Sequence, residues 1–181
     1  MTLIAYHNNP TIKTDILAVL ERHRAADELV QGYGYWQDGK GCAVGCTINS
    51  GRHIEYEARF GIPVHLARME DCIFEGLPVD LARQWPLRFM GAICSGQDLS
   101  RVHWQLLHWL LTDPDINPGI THPLVSGAVK ACADLIAVLA DGGVVTTDVA
   151  WSAESAAWVK IADKLIALIE AAPITTAEVE G

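Results

Sequence analysis

Gly39-Lys40-Gly41-Cys42-Ala43-Val44-Gly45-Cys46-Thr47 packs three glycines, two cysteines and one lysine into nine residues. Nothing else in the chain departs so far from what a helical core needs. Glycine costs a helix about 1 kcal/mol relative to alanine, so the cluster implies unusual backbone geometry or a close approach to another group. Two structures compete for it. Aromatic residues before Asp38-Gly39 and small apolar residues after it suggest a short hairpin over residues 33–47. The other is a loop in which Cys42 opens a short helix.

On either side of this loop the apolar residues recur at helical spacing. Thr11 or Thr14 is placed to cap a first helix that carries Ile12, Ile16, Val19, Leu20 and Val30 on one face and ends at Gly32. A short helix is expected over residues 52–60. The next starts at Gly61-Ile62-Pro63 and buries Leu66, Met69 and Ile73 before Gly76-Leu77-Pro78 stops it. Residues 78–94 read as helix, broken or kinked at Trp85-Pro86. Residues 99–111 form another, with Leu99, Val102, Leu106, Trp109 and Leu110 on one face. The nearly all-apolar stretch 121–140, opened by Thr121, is expected to be the most buried helix. The last helix runs over 147–172 with Trp151, Trp158, Ile161, Leu165 and Ile169 as its stripe. These segments predict one all-α domain over 1–172, with six or seven helices and room for a small hairpin, followed by a flexible tail over 173–181.

Composition narrows the function. The 181 residues are 50% hydrophobic and carry a net charge of -9. Ten basic and twelve acidic residues lie up to Arg101, and three and ten beyond it. An acidic second half lacks the basic stripe that sequence-independent nucleic-acid binding needs, so nucleic acid is not the expected partner. The N-terminus lacks a basic region and a long apolar run, and no apolar segment is long enough to span a membrane. Five cysteines without a secretory signal point to reduced thiols in a cytoplasm.

Chemistry, if any, centres on the loop. In a reactive reading, Cys42 or Cys46 is a nucleophile. Gly39, Gly41 and Gly45 let amide groups turn inward as an anion nest, and Lys40 adds positive charge, so both lower the thiol pKa. Gln37 could hold an oxyanion, and His65, two turns before Cys72, is a candidate acid or base. In a structural reading the same residues make a tight turn with small buried cysteines. A third reading is zinc held by Cys42, Cys46, His53 and His65, although the second pair is widely spaced for a structural site. The phosphate-loop pattern fails because Lys40 is followed by Gly41. No cofactor is implied. Glu70, Asp71 and Glu75 read as a solvated acidic face, with Arg68 spaced to pair with Asp71. Trp104 lies on the outer side of its helix beside His108 and marks a partner surface, which a second copy of the chain could fill as a homodimer.

The run from Gly39 to Thr47, then Gly61-Ile62-Pro63, Leu66-Ala67-Arg68, Glu70-Asp71 and Phe74-Glu75-Gly76-Leu77-Pro78, resembles a group of uncharacterised bacterial and phage proteins. That group has an alanine-, serine- and tryptophan-rich C-terminal helix like residues 150–157. The resemblance transfers no catalytic residue. It implies a phage or mobile-element setting, in which small helical proteins act by binding host factors. The expectation is therefore a cytoplasmic accessory protein that binds a protein partner, with a cysteine-dependent enzyme and a structural zinc module as alternatives.

Overall fold

The computed structural model describes residues 3–103, 105, 106, 109, 113, 115, 116 and 147–174, with side chains of the last stretch from Trp158 onward. Seven helices make up this part: α1 (Pro10–Ala25), α2 (Ala43–Ile48), α3 (Glu55–Phe60), α4 (Val64–Gly76), α5 (Val79–Ala82), α6 (Trp85–Ala92) and α7 (Thr147–Glu170). Among the described residues there is no strand, only isolated bridges. The fold is all-α. The helix expected over 121–140, Trp104 and the tail beyond residue 174 lie outside the described residues.

A left-handed turn precedes α1. Tyr6, His7 and Asn8 take φ of 52°, 50° and 57° in succession. Such backbone costs a non-glycine residue about 1–2 kcal/mol. Tyr6 is anchored in compensation: it is fully buried, and its phenol donates to the Met90 carbonyl at 2.6 Å. Asn9 then caps α1 by accepting from the Thr11 amide at 3.0 Å, with Pro10 in the first turn. The cap is therefore neither Thr11 nor Thr14.

The first helix also stops earlier than its apolar spacing suggests. Asp27 turns left-handed, and the chain leaves α1 so that Val30 donates to the Gly41 carbonyl and Gly41 to the Glu28 carbonyl. A main-chain pairing from outside the helix thus takes Leu29 and Val30 out of it. The short third helix likewise begins at Glu55, after a bend over 50–54. Residues 78–94 divide into α5 and α6, and the break falls at Arg83 and Gln84, just before Pro86.

The core forms where α1 lies along α6 and where α4 packs against α2, α6 and α7. Its largest members are Trp85, Tyr6, Tyr56, Phe74 and Phe89. The α4 stripe is as expected at Leu66 and Ile73, and that of α7 at Leu165 and Ile169. Gly76 lets α7 approach α4, because a Cβ there would overlap the Trp158 indole.

Candidate functional site: the glycine-cysteine loop and its carboxylates

The loop closes on a two-residue turn. Asp38 and Gly39 both have positive φ, 51° and 82°, and Gln37 and Lys40 exchange two main-chain hydrogen bonds of 2.8 and 2.9 Å. This is the turn type that Asp-Gly favours. It pairs one residue on each side, and no hairpin strands extend from it. The chain then doubles back, and the Cys42 amide donates to the Gly34 carbonyl at 3.1 Å. Gly41 and Gly45 lie directly against the Tyr35 main chain, where a Cβ on either would overlap the Tyr35 carbonyl oxygen. Neither has positive φ. Close approach, not a special conformation, accounts for these two glycines.

Residues 41–48 are all buried. Cys42 caps α2, with its sulfur accepting from the Gly45 amide at 3.5 Å. The Asp71 carboxylate lies near enough to act on this thiol electrostatically. Burial, and then Asp71, push this thiol well above the usual range. Cys46 directs its thiol at the Glu28 and Gly41 carbonyls, each at 3.5 Å. Burial, and then Glu28, push it up to about 12. The expected depression of thiol pKa by the glycine nest and Lys40 is thus reversed: desolvation and carboxylates dominate, while Lys40 is exposed.

The other candidates scatter. Gln37 is exposed, and its side chain reaches Asp38 at 3.4 Å. His65 is exposed and stacks on His103, ring centroids 4.8 Å apart. Among the described residues no three His, Cys, Asp or Glu side chains gather where they could hold a metal. The zinc set of Cys42, Cys46, His53 and His65 is therefore not assembled: its two thiols face carbonyls and Asp71, and His65 faces His103.

Two carboxylates that the sequence placed on a solvated face organise the site instead. Asp71 pairs through Oδ2 with His53 Nε2 at 3.3 Å, not with Arg68. The His53 ring meets that of Tyr35 edge-on at 5.4 Å. Cys42, Asp71, His53 and Tyr35 are thus brought together. Glu70 is fully buried. Its Oε2 accepts from the Tyr56 hydroxyl at 2.6 Å, and its main-chain oxygen accepts from the Trp85 indole at 3.0 Å. Its Oε1 is buried without a partner. Burial pushes this carboxyl up to about 8, against the opposing effect of the Tyr56 bond. Glu70 was placed in solvent because one of three acidic residues on an amphipathic helix gives no sign that a tyrosine from another segment will meet it. Beside this cluster a cleft of about 370 Å³ is lined by Asp71, Cys72, Glu75, Gly76 and Trp158.

No family model, no curated protein and no solved structure matches this chain. Among the described residues no helix is long and apolar enough to cross a membrane.

Proposed function

We propose that this chain is a small cytoplasmic accessory protein, of phage or mobile-element type, that acts by binding a protein partner. One observation carries the reading. Tyr33 and Tyr35 keep 42% and 45% of their surface exposed on a loop whose main chain is seated on Gly41 and Gly45. Aromatic rings on a fixed backbone lose little freedom on binding and dominate protein interfaces. Ile54, next in sequence to the His53 that Tyr35 packs against, is 49% exposed as well. The net charge of -9 favours a basic partner surface. The alternative, a cysteine-dependent enzyme, needs a thiolate at Cys42 or Cys46, which burial disfavours.

The test replaces Tyr33 and Tyr35 by serine together. A protein retained by the wild type and lost from the folded double variant, and binding the purified wild type at about micromolar or tighter, supports the reading. Equal retention by both overturns it. Sedimentation of the wild type as a dimer that the double variant dissociates identifies the partner as a second copy.

A further inference from the structure

We propose that Glu70 and Tyr56 form a pH-responsive latch that pins residues 50–60, with α3 among them, onto α4. The segment has the form of a hinged element. It is bounded by two left-handed residues, Asn49 at φ 54° and Gly61 at φ 61°. Its helix has six residues and no side-chain N-cap, so it cannot persist on its own. Tertiary contacts must hold it, and the innermost is the Tyr56 hydroxyl donating to Glu70 Oε2.

That contact is built for a neutral carboxyl. Glu70 has no surface in water, and its second oxygen has no donor. Three titratable groups lie close to it. Tyr56 from α3 donates one bond, Asp71 on its own helix adds a like charge, and the Tyr6 phenol from the N-terminal turn, its proton committed to Met90, feels the charge of Glu70 but offers it no bond. Among the described residues no Lys, Arg or His forms an ion pair with it. Ionised Glu70 would therefore be a buried charge with a single donor, which is costly. Swinging α3 outward brings water to the carboxylate and relieves that cost.

The remaining tethers flank the latch. His53 meets Asp71, Glu57 Oε1 accepts from the Val64 amide at 3.0 Å, and His7 Nε2 lies 3.1 Å from the Ala58 carbonyl. None of them contains Glu70, so a Glu70 substitution isolates the latch. The open form releases a proton at an ordinary carboxyl pKa, and the closed form only near 8. The opening equilibrium therefore rises by up to tenfold per pH unit between about pH 5 and 8, then levels off.

Amide exchange on the full chain, corrected for intrinsic chemical exchange, reads this opening. In the wild type the α3 amides should lose protection by about tenfold per unit from pH 5.5 to 7.5 and open more readily than those of α6. In Glu70→Gln, which keeps the acceptor for Tyr56 but cannot ionise, the α3 opening should vary much less steeply with pH than in the wild type. An unchanged slope in Glu70→Gln, or a single common opening of α3 and α6 in the wild type, overturns the proposal. Should Glu70→Gln fail to fold, the side-chain carboxyl carbon of Glu70 can be followed by NMR in the wild type. A midpoint near 8 supports the latch and one below 6 overturns it.

Discussion

Tyr35 and Gly45 meet main chain to main chain: the Tyr35 carbonyl oxygen occupies the space in which any larger residue at position 45 would place its Cβ. Gly41 bears on the same carbonyl. A backbone atom cannot rotate away as a side-chain tip can, so relief must come from moving the loop or α2. Gly45→Ala should then cost about 3 kcal/mol, at the upper end of overpacking effects. Gly39→Ala provides the contrast. Its space is empty, and only its φ of 82° opposes alanine, so about 1 kcal/mol is expected. Urea unfolding of the two variants checks the order, and an equal loss would contradict the packing argument.

The thiols should divide by burial. Cys42 and Cys46 are enclosed, with strongly raised pKa, whereas Cys72, whose thiol partial burial and Asp71 also push up, and Cys94 are exposed. Iodoacetamide at pH 8 should modify Cys72 and Cys94 at least about 100-fold faster than Cys42 and Cys46, because only the thiolate reacts. Peptide mapping over time reads this directly. Cys42→Ser should cost only about 1 kcal/mol, since serine is nearly isosteric and its oxygen can take over the cap by accepting from the Gly45 amide. A fast-reacting Cys42 would revive the nucleophile reading.

The helical class was legible because its signal is local. Leu66 and Ile73 on α4, and Leu165 and Ile169 on α7, are buried by the same spacing that identifies them in the sequence. Apart from the α1 cap, where Asn9 stands in place of Thr11 or Thr14, the errors involve partners distant in the chain. The spacing of α1 continues to Val30, but Gly41 captures Leu29 and Val30. Asp71 stands at helical spacing from Arg68, yet its partner is His53, 18 residues away. Glu70 looks like part of a solvated face until Tyr56 and Trp85 close over it. The glycine run was recognised as special, but the space taken by the Tyr35 backbone at Gly41 and Gly45 cannot be read from the run itself.

Glu70 also sets a sign for overall stability against pH. Its folded pKa is raised from 4.5 to about 8, so the folded chain binds the proton more tightly than the unfolded one. Its contribution is fully present below about 4.5 and is lost as pH rises towards 8. The slope is at most about 1.4 kcal/mol per unit for one proton. Urea midpoints measured from pH 5.5 to 8.5 should fall over this window and flatten above it. Glu70→Gln should remove that component, and a wild-type stability that rises from pH 6 to 8 would show that other groups outweigh it.

Gln97 offers the clearest single-residue test of how α7 is held. It is 2% exposed and spends its amide on three main-chain groups. Its Nε2 donates to the Ile169 and Ala172 carbonyls, both at 3.1 Å, and its Oε1 accepts from the Cys94 amide at 2.7 Å. The two carbonyls lie at the end of α7, where the Ile169 carbonyl also accepts from the Ala172 amide at 3.0 Å but the helix has run out of following turns to serve the Ala172 carbonyl. Neighbouring main-chain bonds reinforce the junction: Asp98 donates to the Pro173 carbonyl at 2.8 Å, and Ala5 to the Gln97 carbonyl at 2.9 Å. Gln97→Leu keeps the volume but leaves the part-buried Cys94 amide and Ala172 carbonyl without partners, while the Ile169 carbonyl keeps the Ala172 amide. At about 1 kcal/mol for each of the two, the loss should be about 2 kcal/mol. It should also be directional, with amide exchange in the last turn of α7 accelerating more than in α1 or α4. A loss below about 1 kcal/mol with uniform exchange would mean that water replaces the glutamine and that apolar packing of Leu165 and Ile169 alone retains the helix.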